Sequence, residues 1–305
     1  MDERFAEVGN GITLCYETFG DPADPAMVLI MGLGTQMVAW DTRFCEQLAG
    51  NGFYVVRFDN RDTGRSTRLD GAPVPKLHEI ALRRIARPAY KLADMALDTV
   101  GLMDALGIER AHVVGVSMGG MIAQTVAARH PSRVRSLTSI MSNTGARFSG
   151  QPALKTYPVL IGSSPTDRDG FIERGVKTWT LIGSPGFERD DVELRAMIEL
   201  SFDRGASPAG TARQLGAIIA SGDRRRELRG VQAPTLVIHG EADKLVSPSG
   251  GRATAKAINN ARLVTIPGMG HDLPKAAWPQ IIAGITQNAA SADVAAGDRA
   301  AVQAA

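Results

Sequence analysis

Short apolar runs alternate with helix-spaced segments along the first half of the chain, the pattern of a mostly parallel α/β sheet flanked by helices. Ile12–Phe19 reads as an early strand with polar alternation. Ala26–Met31 (AMVLIM) is apolar at every position, which marks a strand buried on both faces. Thr35–Gly50 carries helical spacing and stops at Gly50, a residue suited to a left-handed C-cap. Phe53–Asp59 is the next strand, followed by the polar turn Asn60–Ser66. Leu92–Leu106 is an amphipathic helix ending at Gly107, Ala111–Val116 a strand, Met118–His130 a helix stopped by Pro131, and Val134–Met141 strand-like.

The rhythm then breaks. Between about Gly145 and Arg229 only helix-like segments appear, at Arg168–Ile182, Asp190–Asp203 and Ser207–Ser221, the last opening with Ser207 as N-cap and Pro208 behind it. The buried-strand pattern resumes at Thr235–His239, and a further strand follows at Ala261–Ile266, with helices at Pro248–Ile258 and Pro274–Asn288. The expected organisation is an α/β core over residues 1–144 and 230–290, a helical cap or lid inserted over 145–229, and a flexible Ala-rich tail over 291–305 that frays from about Ala289.

Composition narrows the function classes. With 34 basic against 32 acidic side chains the formal charge is +2, too balanced for a dedicated nucleic-acid binder. Hydrophobic residues at 44% and charged residues at 22% suit a sizeable core and exclude a disordered chain. No apolar run approaches the ~18–20 residues of a membrane span, and the acidic N-terminus lacks a signal-peptide layout, so a cytoplasmic location without stable membrane insertion is expected. Cys15 and Cys45 have no metal-type spacing and read as reduced, buried thiols. The stretch Gly71–Lys91 carries Lys76, Arg83, Arg84, Arg87 and Lys91 around a short helix-like segment; a solvated surface helix is the first reading and a lipid-surface contact the second. Arg224-Arg225-Arg226 reads as a solvated helix end.

Gly115-Val116-Ser117-Met118-Gly119 has the form of a nucleophile elbow, and its context strengthens it, because Ser117 falls between a buried strand and a helix. A serine hydroxyl needs an adjacent base to act as a nucleophile. In such folds the partners follow in the order serine, acid, histidine, which leaves His239 and His271 among five histidines. His239 sits inside an apolar strand, whereas His271 lies in the glycine-flexed loop Pro267–Asp272 directly after the last strand and is preferred. Asp243, four residues past the strand Thr235–His239, is the preferred acid; Glu241 reads as a turn residue and Asp272 as a loop group. The oxyanion donors are expected from the backbone N–H groups of Met118 and of Leu33 in the loop Met31-Gly32-Leu33-Gly34. No histidine has zinc-type spacing, and neither metal nor cofactor is expected.

From about residue 10 to 145 and again from 230 to 290 the chain resembles the α/β-hydrolase superfamily. Gly115–Gly119, the run Asp59-Asn-Arg-Asp-Thr-Gly-Arg-Ser66, Gly240–Asp243 and Gly270-His271 match in identity and order. The resemblance is to the carboxylesterase and lipase-like members, including methylesterases of polyketide tailoring. It departs in the oxyanion loop, where the family commonly has His-Gly and this chain has Met31-Gly32. Serine rather than aspartate at the elbow argues against epoxide hydrolases and haloalkane dehalogenases, and Ser142-Asn143 offers no carboxylate at their alternative acid position.

The expected activity is hydrolysis of small to medium, mainly apolar carboxylic esters through an acyl-enzyme. Other triad reactions (thioester, lactone or C–C bond hydrolysis, cofactor-free perhydrolysis) and a slow-turnover receptor stand as alternatives, since fold and triad underdetermine function. Phe171, Trp179, Leu181, Phe187, Met197, Phe202 and Leu215 of the cap are candidates for an apolar pocket. Closer to the serine, Met31, Gly32, Met141 and Met269 join Trp179 as candidate substrate contacts. Met37, Met118 and Met121 extend the same thioether-rich surroundings. The expected partner is a small-molecule ester, with the protein a monomer or homodimer.

Overall fold

The computed structural model describes residues 2–158 and 165–304, with side chains described as far as Ala292. Eight strands form one sheet: β1 Arg4–Glu7, β2 Thr13–Phe19, β3 Ala26–Ile30, β4 Tyr54–Phe58, β5 Ala111–Val116, β6 Val134–Ile140, β7 Thr235–Gly240 and β8 Arg262–Ile266. Their spatial order is β1-β2-β4-β3-β5-β6-β7-β8, antiparallel through β1, β2 and β4 and parallel from β4 onward. Strands β3 to β5 are buried at every position, as unbroken apolar runs require. The four-residue β1 buries only Ala6, too little periodicity to be read from sequence.

The helices are α1 Thr42–Gly50, α2 Leu77–Ala81, α3 Leu92–Ala105, α4 Met118–Arg129, α5 Arg168–Ile182, α6 Asp191–Asp203, α7 Pro208–Ser221, α8 Arg225–Leu228, α9 Ser249–Ala257 and α10 Trp278–Ala304. One face of the sheet packs on α3 and α4 through Leu92, Met95, Ile122 and Val126. The other packs on α1 and α10 through Phe44, Leu48, Trp278, Ile281 and Ile285.

Three local expectations change. The helix expected from Thr35 is a 3-10 turn at Met37–Ala39 followed by α1, because the Asp41 side chain accepts from Arg43 N–H at 2.8 Å and starts the helix there. Gly50 is its last helical residue, and the left-handed residue is Gly52, at φ +84°. The Ala-rich tail continues as helix to Ala304, in keeping with alanine's helix propensity, and Ala289 and Ala292 are buried. Between β6 and β7 the described chain carries α5 to α8; residues 159–164 of the expected cap lie outside the described residues.

Register explains where chemistry can gather. Ile30 pairs with Gly115, Val116 with Ile140, Ile140 with Ile238, and Gly240 with Ile266, so the strands' C-terminal ends form one edge. The two neighbours of β3 are β4 and β5, so chain direction switches there, and the loops after β3 and β5 open a crevice at the switch.

Candidate active site

Ser117 occupies the sharp turn between β5 and α4 with φ 56° and ψ −118°, a conformation costly for a residue with a Cβ. The surroundings hold it there. Its N–H donates to the Ile140 carbonyl at 2.9 Å, and its carbonyl accepts from the Ser142 hydroxyl at 2.8 Å. A Cβ on Gly115 would lie 2.1 Å from the Gly119 carbonyl oxygen, and one on Gly119 would lie 2.0 Å from that of Ile30. The two elbow glycines are therefore steric requirements of the turn. The Ser117 side chain makes no cap hydrogen bond to α4 and instead lines a cavity of about 1080 Å³.

His271 lines the same cavity, and its Nδ1 lies 2.7 Å from Asp243 Oδ2. Asp243 stands behind the imidazole, buried, with Oδ1 accepting from the Leu245 and Val246 N–H groups at 2.8 and 2.9 Å. Burial alone would raise the Asp243 carboxyl, but His271, His239 and their hydrogen bonds hold it down at about 2. An ionised carboxylate at Nδ1 leaves Nε2 of His271 as the base-competent nitrogen. The His271 loop is fixed from the insertion: His271 N–H donates to the Ile182 carbonyl at 2.8 Å, and the Ser184 hydroxyl accepts from Gly270 N–H at 2.8 Å. Asp272 accepts from that same hydroxyl rather than serving His271, and burial pushes its carboxyl up.

On the opposite side of Ser117 runs the loop after β3. Gly32 and Leu33 line the cavity, and a Cβ on Gly32 would come 3.2 Å from that of Ser117, so the loop backbone approaches that side chain. Asn60 Nδ2 donates to the Met31 carbonyl at 3.0 Å, and Asp59 Oδ1 accepts from Met37 N–H at 2.7 Å. Gln214 of α7 accepts from Gly34 N–H at 2.8 Å while its amide donates to the Arg61 carbonyl and the Thr63 hydroxyl at 2.8 and 2.7 Å. Arg204 reaches Asp59 at 2.8 Å, and Arg213 grips Asp62 with bonds of 2.9 and 2.7 Å. Burial would raise the Asp62 carboxyl, but Arg213, Leu69 N–H and the Tyr90 hydroxyl keep it below the usual carboxylate range. Met118 opens α4, so its N–H is one of the helix's unshared first-turn donors.

A family model for the alpha/beta hydrolase fold matches residues 25–274. The chain belongs to the α/β-hydrolase family. This hydrolase is 31% identical over 306 residues to the rhodomycin D methylesterase of Streptomyces sp. (strain C5), spanning 93% of this chain and 97% of that protein. It is 26% identical to 3-oxoadipate enol-lactonase 2 of Acinetobacter baylyi, over 83% of this chain and 84% of the lactonase. The enol-lactonase structure from Burkholderia xenovorans superposes with a TM-score of 0.68 at 25% identity, covering 95% of this chain and all of that one at 100%.

The hydrolase brings Ser117, His271, Met31, Gly32, Leu33, Met141 and Trp179 to one cavity wall, along with Phe171, Phe187 and Met197. Met269, Met37, Met118 and Met121 are core side chains, so the wall's thioethers are those of Met31, Met141 and Met197. Leu181, Phe202 and Leu215 do not line it. His239 is buried beside Asp243, with Nε2 2.8 Å from the Val246 carbonyl and 3.5 Å from Asp243 Oδ2. Arg224 is buried, not solvated: it donates to the Asn143 carbonyl at 2.7 Å, and burial pushes its guanidinium down to about 10. Both thiols are buried and free, and burial pushes each up to about 12. The supporting roles of Ser142, Asn60 and Gln214 escape sequence reading, because each acts through backbone atoms distant in sequence. Among the described residues no group of three or more His, Cys, Asp or Glu side chains could hold a metal ion, and no helix is long and apolar enough to cross a membrane.

Proposed function

We propose that this α/β-hydrolase cleaves carboxylic esters through an acyl-enzyme, with Ser117 as nucleophile, His271 as general base and acid, and Asp243 as the group that orients His271 and stabilises its imidazolium. The observation that carries the reading is the 2.7 Å His271–Asp243 hydrogen bond beside a cavity shared with the strained Ser117. His271 takes the Ser117 proton as the hydroxyl attacks the ester carbonyl, then passes it to the leaving alkoxide. Water attacks the acyl-enzyme by the reverse use of the same groups. The Leu33 and Met118 N–H groups hold the oxyanion, each worth about 10²–10³ in kcat by analogy with other oxyanion donors.

Substrate class follows from the cavity wall and the relatives. Phe171, Trp179, Phe187 and Met197 make the insertion side apolar, and a space of about 1080 Å³ admits an acyl group larger than a short chain. The insertion thus acts as a cap that selects the acyl portion. Relatives named as a methylesterase and an enol-lactonase favour a small alcohol leaving group or a cyclic ester. Burst kinetics with p-nitrophenyl esters of graded acyl length test the mechanism. A rapid release stoichiometric with enzyme, absent in Ser117→Ala, supports it; turnover with no dependence on Ser117 contradicts it.

A further inference from the structure

Six of the nine large hydrophobic side chains exposed among the described residues come from two short segments: Val74, Leu77 and Leu82 from one, Phe148, Leu154 and Tyr157 from the other. Phe148, Leu154 and Leu82 are 89%, 88% and 75% exposed. The segments are joined in space, since Arg83 donates to the Gln151 side chain at 3.0 Å. The same stretches carry Lys76, Arg83, Arg84, Arg87, Arg147 and Lys155 against a single carboxylate, Glu79, in a chain whose whole formal charge is only +2. Glu79 is already occupied, accepting from the Lys76 and Ala86 N–H groups at 2.9 Å each. Those bonds tie residues 76–86 into a compact loop in which α2 buries nothing. The second segment is equally fixed: Ala153 N–H donates to the Lys244 carbonyl at 2.8 Å, and Gly150 N–H to the Ser249 hydroxyl at 2.9 Å.

We propose that this basic, apolar face docks on the surface of an anionic phospholipid bilayer. Cations at headgroup level flanking aliphatic and aromatic side chains match the two layers such a surface offers, charge outside and acyl chain beneath. Nucleic acid would engage the cations but leave Leu77, Leu82 and Leu154 in water. A second copy of the chain would set six cations against six. The contact is peripheral, as no described helix can span a membrane. It is also continuous with the loop bearing Asp243, because Lys244 is the residue to which Ala153 is bonded and Leu245 lines the ester cavity.

Flotation of the full-length protein with vesicles of equimolar phosphatidylglycerol and phosphatidylcholine, against pure phosphatidylcholine, tests this. The expected result is co-flotation with the anionic vesicles that weakens as salt is raised. Arg84→Glu with Arg87→Glu, and separately Phe148→Ser with Leu154→Ser, each lower the partition coefficient by about tenfold or more. Both variants retain wild-type turnover of soluble p-nitrophenyl acetate, which shows they are folded. Wild-type protein that stays with the unbound fraction overturns the proposal. So does undiminished flotation of either variant, or a dimer in light scattering that these substitutions dissociate.

Discussion

The sheet edge and the inserted helices hold the cavity between them by different means. On the sheet side, Ser117, Asp243 and His271 stand on loops after β5, β7 and β8, each loop fixed by hydrogen bonds to backbone groups. On the insertion side, α5 buries only Ile172 and Ile182, and α6 only Ile198. Helix α7 is more deeply anchored, because buried Arg213 and Gln214 bond the core's polar turn at Asp62 and Arg61. In the proposed reading the sheet edge, α7 and the end of α5, where the Ile182 carbonyl accepts from His271 N–H, fix the reacting geometry, while the rest of α5 and α6 present exchangeable apolar surface to the substrate.

Substitutions on the two sides sharpen that contrast. Ser117→Ala lowers kcat on a p-nitrophenyl ester by about 10⁴–10⁶ without unfolding the protein. Asp243→Asn lowers it by about 10³–10⁴, because the amide can favour the wrong His271 tautomer. Gln214→Ala, far from the nucleophile in sequence, lowers kcat by about tenfold to a hundredfold at nearly constant KM, by freeing the loop that carries Leu33. It also costs about 1–3 kcal/mol in chemical denaturation for the buried groups left unpaired. Trp179→Ala on α5 changes KM several-fold and chain-length preference, with kcat altered less than about threefold; a kcat loss as large as that of Gln214→Ala would erase the distinction.

Acid stability probes the sheet side alone. The Asp243 carboxyl lies at about 2 in the folded protein, below its unfolded value of 3.8. A depressed carboxylate contributes stability that is complete above the unfolded value and lost as pH falls toward the folded one. The contribution, of order 2 kcal/mol, should therefore disappear between about pH 4 and pH 2. Denaturation of wild type against Asp243→Asn across that range checks it: the gap between them should narrow as pH falls.

Much of the sheet was legible because β3, β5 and β7 are mainly apolar on both faces, with Pro25 before β3 and Pro234 before β7. The helices α5, α6 and α7 were legible as helix-like segments, α7 also from its Ser207 cap, and in the fold Asp167, Asp190 and Ser207 each accept a first-turn N–H. Ser117, Asp243 and His271 could be nominated because strand ends and glycine-rich loops are local signals. The grip of Gln214 on Gly34 and of Arg204 on Asp59 could not, since 180 and 145 positions separate the partners. Arg224 misled for the same reason: in sequence it belongs to an arginine run, but in the fold it is buried and donates to the Asn143 carbonyl, 81 positions away.

The central claim is that Ser117 is the nucleophile activated by His271. Peptide mapping after treatment with a fluorophosphonate, with residual turnover of a p-nitrophenyl ester followed in parallel, tests it most directly. The expected result is a single phosphonyl adduct on Ser117, formed far more slowly in His271→Ala, and loss of turnover in proportion to labelling. An adduct on a different residue, or full turnover by protein labelled at Ser117, would contradict it.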